Sequence, residues 1–167
     1  MDDLRVLVFL GLWESSLLAY VSPGIVGYRI PVMTAFRIGL IHSIAVYLLR
    51  GIYRWMGWAL GTHTLVCLVF LLVMVKVASR ARLGVAAAGT FFAFQVLLMG
   101  EVISYFAITR SGSTVVEMLE RPWVHIGMGW IGTTPLLVLS SLIRRYGINV
   151  LRLPSLLTSG NRENTSL

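Results

Sequence analysis

Five apolar runs, each of about 20 residues, constrain this 167-residue chain more than any motif in it. A hydrocarbon core about 30 Å thick is crossed by about 20 helical residues. The runs fall at about residues 4–21, 32–49, 58–77, 83–108 and 123–143. Composition agrees: 57% of residues are hydrophobic and 13% charged, against about 25% charged in a soluble domain. The chain therefore reads as an all-α, polytopic bundle of about five membrane helices, lodged as a multi-pass protein in the cell membrane. The count falls to four if the first helix lies in the interface. Residues 1–146 form the membrane domain, and residues 147–167 form a polar tail expected to be disordered and cytoplasmic.

Breaks between the runs come from local chemistry. Ser22-Pro23-Gly24 is expected to end the first helix, and Arg50 to Trp58 reads as an aromatic-rich turn. Thr114 followed by Glu117 forms a capping box, which predicts a short interfacial helix before Pro122 opens the fifth span. The first run could imitate a signal peptide, but Asp2 and Asp3 spoil its amino end and Glu14 spoils its apolar stretch. Retention is expected.

Net charge is +7, from 14 Lys+Arg against 7 Asp+Glu. The bases are scattered between apolar runs and form no phosphate-tracking stripe, so nucleic acid is not an expected partner; the lipid bilayer is. Counting bases by loop places Arg29, Arg37, Lys76, Arg80, Arg82, Arg144, Arg145, Arg152 and Arg162 on one side. Arg5, Arg50, Arg54, Arg110 and Arg121 fall on the other. The richer side is cytoplasmic under the positive-inside rule, which puts the amino terminus out and the carboxyl terminus in. Tyr53, Trp55, Trp58 and Trp123 then read as an aromatic belt at the outer interface, with ligand stacking as the alternative.

Two carboxylates are stranded inside the spans. A charge at mid-span costs about 2.5–3.5 kcal/mol on insertion scales, so Glu14 and Glu101 should face the bundle interior. Ser104 and Tyr105 follow Glu101 at i+3 and i+4, on the same face. A polar pocket built from Glu14, Glu101, His42, His63 and Tyr105 is the functional reading, with His42 a candidate partner of Glu14. Plain helix-packing hydrogen bonds are the alternative. His63 and Cys67 share a helix face but supply only two of the four ligands structural zinc requires, so no metal or other cofactor is expected. A cysteine-peptidase reading fails as well, because Cys67 lies in an apolar segment. No catalytic residues are expected, and the protein is read as a non-enzyme. Gly127-Met128-Gly129-Trp130-Ile131-Gly132 spells GxGxxG inside a span, where it has no nucleotide-binding context. These glycines, with Gly57-xxx-Gly61 and Gly84-xxx-Ala88, are expected at close helix contacts, within one chain or in a homodimer.

Leu48-Leu49-Arg50, Gly61-Thr62-His63-Thr64, Gly100-Glu101 and Arg121-Pro122-Trp123 stand at the edges or interiors of these spans. In that arrangement, residues 4 to 146 resemble the five-span membrane module that precedes the kinase part of Gram-positive, GHKL-type sensor histidine kinases. The resemblance implies a bacterial protein in signal transduction. The chain departs from such kinases after Ile143, where only 24 residues follow and carry no phosphoacceptor or nucleotide-binding segment. It would act as a stand-alone, sensor-like module beside a separate partner kinase or ATPase. The alternative is a small transport-related subunit, with Glu14 and Glu101 lining a substrate or ion path.

Overall fold

The computed structural model describes residues 4–57, 62–110 and 121–147. They form five helices and no strand: α1 (Leu4–Ile25), α2 (Val32–Trp55), α3 (Thr62–Ser79), α4 (Leu83–Arg110) and α5 (Pro122–Tyr146). Each is long and apolar enough to cross a membrane. The protein is thus an integral membrane protein of the multi-pass, helical kind. The Thr114–Glu117 capping box, Trp58, Gly61 and most of the polar tail lie outside the described residues.

Helix α1 is the axis of the bundle. It packs against each of the other four helices, while α2 meets α3, α3 meets α4, and α4 meets α5. Among the described residues α5 does not close back onto α2, so the ring around α1 stays open on that side. A dry core runs along the half of the bundle where α1 ends, through Leu18, Val21, Ile25, Leu71, Val75 and Leu136. There is no hydrophobic drive between helices in lipid, so association depends on close packing and interhelical hydrogen bonds.

The helix boundaries correct two sequence expectations. Helix α1 does not break at Ser22-Pro23-Gly24; Pro23 sits inside it. Proline forfeits only its own N–H, and a membrane helix tolerates that loss when neighbouring groups compensate. The stop comes four residues later. Tyr28 N–H bonds Pro23 O at 3.0 Å and Gly27 N–H bonds Gly24 O at 3.1 Å, with Gly27 at φ 86°. That is the Schellman pair of bonds, for which a left-handed glycine is the natural terminator. The supposed turn at Arg50–Trp58 is also largely helix, since α2 continues through Trp55 and ends as Met56 N–H bonds Ile52 O. Pro122 opens α5 in its first turn, as expected.

Glycine contacts are partly those expected. A methyl on Gly129 would strike the Leu10 side chain, and one on Gly100 would strike the carbonyl oxygen of Gly132. Gly57, Gly84 and Gly127 face open space and make no close contact. The unforeseen approaches are Gly39 against Ser16 and Gly89 against the Ser22 carbonyl. The aromatic belt needs one correction too. Trp55 and Trp123 are exposed, but Tyr53 is buried, its ring 6.0 Å from that of His63 in an edge-on contact.

Candidate functional site

A cavity of about 360 Å³ opens in the half of the bundle where α1 begins. Two carboxyls and a guanidinium from three helices are among the groups that line it: Glu14 of α1, Arg50 of α2 and Glu101 of α4. Glu14 is the eleventh residue of a 22-residue helix, at mid-span. Glu101 lies in the last third of α4, so the two carboxyls reach the cavity from different depths. Arg50 acts electrostatically on both, and the carboxyls act on each other. Among the described residues, none of the three is directly ion-paired with another. Their charges converge on a space rather than on one another.

The local fold explains this convergence. Near its start, α1 widens into a π-helical turn, Leu7–Gly11, in which Leu12 N–H reaches back five residues to Leu7 O. Such turns shift the faces of the helix that follows. Leu7, Leu10, Gly11, Glu14 and Ser15 all line the cavity. On α2 the lining residues are His42, Ser43, Val46, Tyr47 and Arg50, at spacings of three to four along one helical stripe. On α4, Glu101, Ser104 and Tyr105 share a face as expected, and Ser104 Oγ donates to Met128 O of α5 at 2.9 Å. Helix α5 closes the wall with His125, Met128, Gly129, Gly132 and Thr133.

The histidines are fixed by their partners. His42 is buried and does not bond Glu14. Its Nε2 lies 3.2 Å from the Cys67 carbonyl, which can only accept, so Nε2 donates; Nδ1 lies 2.9 Å from Ser15 Oγ. A neutral imidazole fills both roles, accepting a hydrogen bond from the Ser15 hydroxyl at Nδ1. His42 thereby ties α2 to α1 and α3 at the cavity floor. His63 stands outside the lining and joins it through Arg50, whose Nε donates to His63 Nε2 at 3.3 Å. Its buried Nδ1 has no hydrogen-bond partner among the described residues.

Of the five residues expected in the pocket, Glu14, Glu101, His42 and Tyr105 line it directly, although Glu101 and Tyr105 are exposed rather than buried inside the bundle, and His63 supports it through Arg50. Arg50, Tyr47, Ser15, His125 and Thr133 were not anticipated. Arg50 is hidden in the sequence because it follows an apolar run and looks like a loop charge. Extending the stripe 42, 43, 46, 47 by one turn finds it. Among the described residues, no group of three or more His, Cys, Asp or Glu side chains is placed to hold a metal ion.

The lining offers carboxyl oxygens and hydroxyls as acceptors, a guanidinium and two phenols as donors, and apolar walls between them. Its volume lies at the small end of ligand pockets, which span about 300–1,000 Å³. The chain matches no family model, no curated protein and no solved structure.

Proposed function

We propose that this integral membrane protein is a non-enzymatic sensory or regulatory module, which binds a small or lipophilic ligand in its polar cavity and acts with a separate signalling partner. The observation that carries the reading is the approach of Glu14, Arg50 and Glu101 to one cavity without direct pairing. Intramembrane ionisable groups are costly, and two carboxyls held near a guanidinium whose own hydrogen bond goes to His63 are suited to pairing with a ligand. A compound carrying both an amine and a hydroxyl or carboxyl group would meet the carboxyls with its cation and Arg50 with its acceptor. Below the cavity the bundle is filled by packed Leu, Val and Ile side chains, which favours a closed receptor over a through-path. Ligand contacts on α1, α2 and α4 would be felt by α5 through Gly100–Gly132 and Leu10–Gly129, and α5 leads to the tail. The charge asymmetry orients this arrangement, with the cavity opening outside and the tail inside. The likeness to five-span sensor-kinase modules points the same way and supplies the class of partner.

The test is purification of the full chain from native membranes after mild cross-linking, for the wild type and for Glu14→Gln and Glu101→Gln variants. Recovery of a kinase-type partner, with signalling output biased by either variant, is the expected result. Recovery of a transport ATPase, with uptake abolished by both variants, would replace this reading with that of a transport subunit.

A further inference from the structure

The open side of the bundle forms a second and larger concavity, independent of the polar cavity's ligand. It measures about 870 Å³ and lies between α2 and α5, floored by α1. Phe9, Trp13 and Tyr20 of α1, Phe36 of α2, and Trp130 and Leu137 of α5 give it a mostly apolar wall. From Trp130 to Arg144 the groove follows 15 residues of α5, or about 21 Å of helix. One leaflet contributes about 15 Å of hydrocarbon. The groove is therefore long enough for the acyl chain of one leaflet, running with its wall along the bilayer normal.

Its foot is basic. Arg144 lines the groove in the last turn of α5. Around it the same end of the bundle carries Arg29, Arg37, Lys76, Arg80, Arg82 and Arg145, and no acid among the described residues. The neighbours of Arg144 on α5 are already engaged: Arg145 lies over the Tyr146 ring at 5.6 Å. The Ser140 and Ser141 hydroxyls donate hydrogen bonds to Leu137 O, at 2.8 and 2.9 Å. Among the described residues that line the groove, Arg144 is the one base, so it is the donor placed at the groove's polar end.

We propose that this groove binds one anionic phospholipid, with an acyl chain laid along α1 between Phe36 and Trp130 and its phosphate at Arg144. The occupant is a lipid rather than a second helix because the groove is mostly apolar, its five Ser and Thr hydroxyls each donate to a carbonyl of their own helix, and it is cationic at one end only, which is the polarity of an anionic lipid molecule. Basic side chains at the membrane surface attract such headgroups.

The full chain is reconstituted in nanodiscs of equal phosphatidylglycerol and phosphatidylcholine, moved into mild detergent, and examined by native mass spectrometry. One retained phosphatidylglycerol per chain, in preference to phosphatidylcholine, is expected. Arg144→Gln should cut that preference roughly fivefold, as expected for one basic residue at an anionic surface. Arg145→Gln, an equal change of charge beside the groove, should keep it. Ser141→Trp, which fills the groove from an exposed position, should abolish retention of both lipids with the helical circular dichroism unchanged. Equal retention of both lipids, retention of neither, equal loss in the two arginine variants, or a lipid-free dimer cross-linked between Phe36 and Trp130 would each overturn the proposal.

Discussion

The indole Nε1 of Trp130 donates a hydrogen bond to the carbonyl oxygen of Phe9 at 2.9 Å, joining α5 to the π-helical turn of α1. The bond lies at the boundary between the two concavities, with Phe9 and Trp130 on the groove side and their neighbours Leu10 and Gly129 on the cavity side. Thr133, one turn further along α5, lines both. The widened turn of α1 is therefore held where it shapes both spaces.

Trp130→Phe keeps an aromatic ring in the wall and removes this donor. The expected loss is about 0.6 kcal/mol, the average for an interhelical hydrogen bond in a membrane protein. Equilibrium unfolding in mixed detergent micelles measures it. A variant as stable as the wild type would show that the bond adds nothing beyond packing.

Gly100→Ala places a methyl group against the backbone of Gly132, which cannot yield as a flexible side chain would. Overpacking of this kind costs about 1–3 kcal/mol. Gly84→Ala, at the open start of α4, supplies the control and should leave the thermal midpoint unchanged. If both variants behave alike, α4 and α5 do not approach as closely as their glycines imply.

His42→Ala leaves Ser15 Oγ and the Cys67 carbonyl without the ring that links α1, α2 and α3. A loss of about 1–3 kcal/mol is expected, because buried polar groups are left short of partners. His42→Phe should recover packing but not the link, and so should rank between the wild type and the alanine variant in the same unfolding experiment. A phenylalanine variant less stable than the alanine one would contradict this account.

Membrane orientation has a direct test. Reporter fusions after Arg145 should score as cytoplasmic, and fusions within Ser111–Thr114 should score as external. Opposite scores would invert the arrangement and place the polar cavity on the cytoplasmic side.

Much of the architecture is legible in the residue order because hydropathy and length are local properties. Five runs of about 20 apolar residues specify five spans, and Glu14 and Glu101 stand out because a carboxyl in hydrocarbon is expensive wherever it occurs. Helix ends were less legible. Pro23 looks like a stop but lies inside α1, while Gly27, which supplies the left-handed cap, carries no warning beyond its own identity.

What the order of residues determined by itself was the number of spans, the two stranded carboxyls, and the shared face of Glu101, Ser104 and Tyr105. The tertiary structure alone decided which of these meet. It turned Arg50 toward both carboxyls, paired His42 with Ser15 rather than Glu14, and left α5 apart from α2. Those outcomes depend on how far each helix is rotated and how closely it crosses its neighbours. Contacts such as Gly100 on Gly132 and Leu10 on Gly129 set that geometry, and they join residues more than thirty positions apart.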